Sequence, residues 1–523
     1  MFKHDSVRVV QTALKYANPD QRKMIAKELK GDYRALAESR YAKFLIGKML
    51  VHGDGEVRDM IVPEFYGHVR RMIKHPEASW ILDDVYRGIA TSQQKATMLR
   101  EWYGAEFAIF KNDENVQVTS DLADILARNP EKRTPIMRSL HDLLNQLLQK
   151  KTTGFTMLHD AMLQYFLATK PGSQEATDFM ELLKGDDDGD LLKNLAFTKS
   201  GARLVCLALA YGNAKDRKHI LKTYKDTIQP LAYDGNGHKV LLAAYDLIDD
   251  TVLTSKAIFP ELLGKDSTPG TQQENIIAYT VHLTGRIPLL YLLADKAKWL
   301  LPEDDRILLD EIHGIRTTTS KKEPEIRRKE LVKALSAPLL ATVATQVQSL
   351  VSTSFGCQFI TEVLLGADGE KNEALNAIAS LAKSNPEVFD GSAAGRMLKT
   401  LVFGGRFNEK TKTIDLINPP LLFHDMLFTQ IESQVVQWAA GANSFVIVGL
   451  LEAEGFLHRD ALVKILSKNR KVLEQAAIQK VTEHRAPDEA DGAGKAQDGE
   501  KKSKKLSNEA GNKGARLILQ KLE

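Results

Sequence analysis

The chain reads as an all-α solenoid, a stack of roughly eleven short helical units. Three features carry that expectation. An apolar phrase recurs at a fixed step, helix formers dominate with no sustained period-two alternation, and short breakers fall between the units.

The phrase is two adjacent apolar residues followed, one turn later, by a second pair. It appears at Val9, Val10, Ala13 and Leu14, then at Leu45, Ile46, Met49 and Leu50, then at Ile81, Leu82, Val85 and Tyr86, both steps being 36 residues. It returns at Met157, Leu158, Ala161 and Met162, and at Leu204, Val205, Ala208 and Leu209. Val240, Leu241, Ala244 and Tyr245 follow after another 36. Weaker copies lie at 288–293, 359–364, 397–402, 446–451 and 517–522. Spacing i, i+1, i+4, i+5 makes one apolar stripe that a neighbouring unit must cover. The step departs from 36 around 81–157 and 290–359, which predicts a bent or L-shaped stack.

Breakers separate the units at Gly31-Asp32, Gly53-Asp54-Gly55, Lys170-Pro171-Gly172 and Asp234-Gly235-Asn236-Gly237. GDDDGD at 185–190 lacks the twelve-residue ligand spacing and final glutamate of a calcium loop, so an acidic turn is expected and no metal. Longer interruptions at 264–275 and 316–328 read as exposed loops. The stretch 486–514 is too poor in apolar residues to repay its ordering and reads as disordered. ARLILQKL after it restores the stripe and should supply a closing helix that caps the stack. The units group into a basic N-terminal set (1–110), a central set (111–315) and a divergent C-terminal set (316–523).

A chain of 523 residues would ordinarily divide into several domains, but repeats need only their neighbours. No run approaches eighteen apolar residues, so no membrane span is expected. The start, MFKHDSVRVV, has no hydrophobic signal stretch and enters a repeat at once, which suggests a missing upstream segment. Cys206 and Cys357 fall in or beside apolar phrases and read as buried thiols. Net charge is only +3, but residues 1–110 hold 18 Lys plus Arg against 14 Asp plus Glu, an excess of 4. His68, Arg70, Arg71, Lys74 and His75 crowd into GHVRRMIKH. On one helix the 70/74 and 71/75 pairs would stack, making a solvated face or an anion site.

DSVRVVQTALKYA, GARLVCLALAYG and GHKVLLAAYD resemble the second helix of a Pumilio (PUF) repeat. GHVRRMIKHPEAS, AKDRKHILKTYK, LLAAYDLIDDT and NAIASLA make the chain similar to the PUF-A branch, including its fungal members, over nearly its whole length. The resemblance implies three-helix Pumilio-like repeats. It also implies three RNA-facing side chains on each second helix: two base-edge readers four apart and a stacker beside the first. The reader pairs would be Val7 and Gln11, Lys43 and Gly47, Ser79 and Asp83, Phe155 and His159, Ala202 and Cys206, His238 and Leu242, and Arg286 and Leu290. Pairs of the Asn–Gln or Ser–Glu kind that match base edges are almost absent. The stackers are instead generic: Arg8, Phe44, Trp80, Arg203, Lys239, Arg396, Phe445 and Arg516 are cationic or aromatic.

The expected nucleic-acid contacts are therefore Arg8, Gln11, Lys43, Phe44, Trp80, Arg70, Arg71, Lys74, His75, Arg203, His238, Lys239 and Arg286, binding RNA without a linear base code. The resemblance implies a nuclear and nucleolar protein of large ribosomal subunit assembly. Its partners would be precursor ribosomal RNA, the pre-60S particle and its assembly factors, with messenger RNA repression and DNA as further expectations. The competing reading is a HEAT- or armadillo-like protein scaffold, favoured by the near-neutral charge. An enzyme is not expected, because no phosphate loop, zinc-protease pair or nucleophile elbow occurs, and no cofactor is expected.

Overall fold

The computed structural model describes residues 3–109, 118–185, 188–264, 268–408, 410–478 and 511–523. The apolar phrases lie on helices α1 (His4–Tyr16), α2 (Lys43–His52), α3 (Ala78–Asp84, with a π-turn beyond it), α4 (Thr156–Ala168), α5 (Lys199–Tyr211), α6 (Gly237–Leu247) and α7 (Arg286–Ala294). After α8 (Glu303–Thr319) and α9 (Pro324–Val351) come α10 (Ser354–Gly366), α11 (Ser392–Phe403), α12 (Ser444–Glu452) and α13 (Lys513–Lys521). These form two compact units, Met1–Ile258 with Glu303–Glu323, and Phe259–Pro302 with Pro324–Glu523. Within the first, α2 packs on α1 and α3, and α5 on α4 and α6. Within the second, α7, α10, α11, α12 and α13 follow one another side by side. Leu45, Ile46, Leu158, Leu204 and Val205 are fully buried between such neighbours. Val9 on α1 is 69% exposed, because among the described residues α1 has such a neighbour on one side only.

A recurring pattern ends several face helices. A short polar residue caps the helix that follows: Asn18, Asp54, Ser173 and Asn213 each accept from backbone N–H groups one turn on. After α1, α5 and α12 an arginine in the next helix reaches back to the orphan carbonyls at the end of the face helix, and for α7 an arginine of α9 does so. Arg22 donates to Leu14 (3.0 Å), Arg217 to Leu209 (2.8 Å) and Ala210, Arg328 to Tyr291 and Leu292, and Arg459 to Ala453.

Several expectations are corrected. The loop at 264–275 is largely helix, Pro269–Val281, because Thr268 caps it and Pro269 takes its first position. The loop at 316–328 shrinks to 320–323, since the hydroxyls of Thr317, Thr318 and Thr319 return to carbonyls inside α8. A two-stranded antiparallel hairpin, β1 (Gly405–Asn408) and β2 (Thr413–Leu416), interrupts the helices. α9 is long and apolar enough to cross a membrane by length and composition. Leu331, Leu335, Leu339 and Val343 are nonetheless buried against the neighbouring helices of its unit. Most of 486–514 lies outside the described residues, and the closing helix is α13, packed on α12. Cys206 and Cys357 are buried free thiols, as expected, and burial pushes them up to about 12 and about 11.

Candidate nucleic-acid interface

α1, α2 and α3 present their middle positions to a groove of about 900 Å³. Arg8 and Gln11 line it from α1, Lys43, Phe44, Gly47 and Lys48 from α2, and Trp80 from α3, with Tyr41 between them. Phe44 is 58% and Trp80 60% exposed, although large apolar rings normally seek burial. Trp80 is propped edge-on against Phe155 of the next repeat, ring centroids 5.1 Å apart. Lys43 bonds Glu77 at 2.5 Å and stands 5.0 Å from the Phe44 ring. The side chain of Arg8 makes no hydrogen bond or ion pair among the described residues, and Lys48 makes none either. Free cations beside open rings can stack bases and pair with phosphates of any sequence.

The reader positions have gone to cohesion. Val7, Ser79, Asp83, Phe155, Ala202, Cys206, Leu242 and Leu290 are all buried. Asp83 accepts from the Met157 backbone N–H (3.1 Å), and burial raises its carboxyl to about 6. His159 lies 2.9 Å from Thr198 Oγ1 and 2.7 Å from the Thr153 carbonyl, and burial lowers its pKa. Gln11, Lys43 and Gly47, all half-buried, retain access to the groove, and Val7 reaches its wall with 3% exposure.

The cations of GHVRRMIKH do not share a helix face as expected. Only Val69–Met72 is helical, because Pro76 biases the residue before it away from helix. Arg70 donates to Ser139 Oγ (2.7 Å) and to the Ser139 carbonyl, while Arg71 stays 66% exposed, 3.4 Å from Glu38. His75 turns inward, its Nδ1 accepting from the Glu77 and Ala78 backbone at the start of α3. Lys74 remains in a positive cluster that sequence reasoning missed one member of. Lys150, 76 positions on, donates to the Lys74 carbonyl (2.9 Å). Burial lowers the Lys74 ammonium, and the charges of Arg70 and Lys150 lower it further. Nothing in local sequence pairs 74 with 150. Lys48 was also missed, although its place one turn after Phe44 could have found it.

Four expected contacts are not on an open face. Arg203 donates twice to Glu311 (2.8 and 3.1 Å). His238 and Lys239 both meet Asp305, at 2.7 and 3.1 Å. Arg286, 5% exposed, lies 3.8 Å from the centre of the Phe355 ring and donates to Gln358. Among the described residues no three His, Cys, Asp or Glu side chains gather as a metal site would need.

Residues 282–412 match the CPL (NUC119) domain model. The chain is 32% identical to Pumilio homology domain family member 6 of Schizosaccharomyces pombe, over 91% of this chain and 72% of that one. It is also 32% identical to human Pumilio homolog 3, over 73% of this chain and 55% of that one. The crystal structure of human Puf-A in complex with DNA is similar at a TM-score of 0.76 and 28% identity, covering 91% of this chain and 89% of the other.

Proposed function

Because the chain belongs to the Pumilio homology family, in its Puf-A branch, we propose that it binds nucleic acid along the α1–α3 groove without reading base sequence. The observation that carries this is the pairing of exposed Phe44 and Trp80 with unpartnered Arg8 and Lys48, while the reader positions are buried. The basic cluster of Arg70, Lys74 and Lys150, with exposed Arg71 on the same segment, adds phosphate contacts. That human Puf-A was solved with DNA supports a nucleic-acid partner. The natural ligand on this reading is RNA, namely precursor ribosomal RNA within the pre-60S particle, met in the nucleolus during large-subunit assembly. The family resemblance supports that setting. A role in messenger RNA repression would need a protein partner to supply the selectivity this groove lacks.

The test is titration with unrelated RNAs of equal length at about 50 and about 200 mM salt. Similar affinities and a fall of about a thousandfold or more are expected if some six phosphates are neutralised. Negligible affinity, or one preferred sequence, overturns the reading.

A further inference from the structure

α8 is an excursion. The chain passes from the first unit into the second, returns to the first for Glu303–Glu323 only, and then resumes the second. In the first unit α8 lies across α5 and α6. Its opening stretch is strongly acidic: EDDRILLDE holds five acids against Arg306 alone, and His313 and Arg316 follow without further acids.

Three of its acidic side chains meet cations of α5 and α6. Asp304 pairs with Lys199 (2.9 Å) and Glu311 with Arg203 through two parallel bonds. Asp305, 3% exposed, meets His238 and Lys239 together. Burial alone would raise the Asp305 carboxyl, yet these two partners hold it below the usual carboxylate range. Further along, His313 bonds Asp246 at 2.6 Å, so the complementarity follows the helix as its sign changes. Leu309 and Ile312 are buried beneath and keep the helix seated.

Arg203 and Lys239 occupy the positions that Arg8, Phe44 and Trp80 hold in the open groove. We infer that α8 is a resident polyanion mimic, whose carboxylates stand where phosphates would stand on a second nucleic-acid face formed by α5 and α6. The inference rests on the nucleic-acid reading of the α1–α3 groove. It assigns that latent face to the same ligand class and explains why binding is confined to the first repeats.

The test neutralises the two more accessible acids, Asp304→Asn with Glu311→Gln, in the full chain. Lys199 and Arg203, with side chains 80% and 41% exposed, lose their partners while α8 keeps its apolar seat. The salt dependence of single-stranded RNA binding should steepen by about 1.4, roughly 0.7 per freed cation. Arg203→Met should then lower the slope by about 0.7 in the neutralised protein and leave the unaltered protein unchanged. An unaltered slope after neutralisation, with melting temperature retained, overturns the inference. So does an Arg203→Met loss of equal size in both backgrounds. Failure of the parent reading looks different, because the unaltered protein would then bind RNA negligibly or prefer one sequence.

Discussion

Replacing Trp80 and Phe44 by alanine removes the two most exposed rings of the groove, 60% and 58% open to solvent. Base–aromatic stacking is worth about 1–3 kcal/mol per base. The rings sit on different helices, so their losses should nearly add, weakening binding at least about thirtyfold at about 1.4 kcal/mol per decade. Folding should suffer little. Trp80 gives up one edge contact with Phe155, about 0.5–1.5 kcal/mol, and Phe44 gives up its lysine neighbour. Fluorescence anisotropy with three unrelated single strands, at two salt concentrations, reads the effect. All three strands should lose affinity equally while the salt slope stays put, since no phosphate contact is removed. Trp80→Phe should restore most of the affinity. It should also abolish RNA-induced quenching, because Trp102 and Trp438 are buried and Trp299 belongs to the other unit. Full affinity in the double alanine variant, or a loss confined to one strand, refutes stacking in this groove.

The remaining expectations test charge, structure and pH. Reversing Arg70, Arg71, Lys74 and Lys150 to glutamate should weaken every RNA alike and flatten the salt slope by several units, and an unchanged slope would make the cluster structural. Arg217→Ala should lower thermal stability by about 3 kcal/mol with the RNA salt slope unmoved, since this 3%-exposed guanidinium serves helix carbonyls; a changed slope contradicts that. Gly201→Ala should cost about 1–3 kcal/mol, because its new methyl would meet the Leu195 carbonyl oxygen at 2.2 Å; wild-type stability would mean the turn relaxes freely. Burial raises Glu101 to about 7, against the pull of the Gly67 and Val69 N–H groups, and Asp83 to about 6. Folding therefore favours both protonated forms, and their contribution, present at acid pH, drains away as pH rises through those values. The contribution to melting temperature should fall from about pH 4.5 to about pH 7 and level off above, and Glu101→Gln should flatten that fall whatever its absolute effect.

The stack was legible because a solenoid writes its packing locally. Leu45, Ile46, Met49 and Leu50 form one stripe, and the helix they need is one repeat away at a fixed step. Arg8, Phe44 and Trp80 followed from the same register. What escaped was everything long-range. Lys150 joins Lys74 across 76 positions, and Glu311 reaches back 108 to Arg203. No periodicity announces the return of α8 to the first unit, and its acidic first turn resembles any helix start. The 316–328 stretch misread for a related reason: three consecutive threonines suggest a loop, yet their hydroxyls found carbonyls within the helix.

The same long-range bonds supply the physical reason for the proposed lack of a base code. A reader must keep its hydrogen-bonding edge in solvent until RNA arrives. Here the edges are already occupied by the next repeat: Asp83 caps α4, His159 holds the Thr198 cap of α5, and Cys206 reaches the Lys239 carbonyl of α6. A buried donor or acceptor that loses its partner costs about 1–3 kcal/mol. Installing a glutamine or glutamate at one of these positions would thus break a repeat junction before it read a base. Stackers escape the conflict, because a ring or guanidinium offers its face to solvent while its stem packs on the helix. A Pumilio stack that spends its reader positions on cohesion can keep affinity for nucleic acid, but any specificity must then come from the shape of the nucleic acid or from a protein partner.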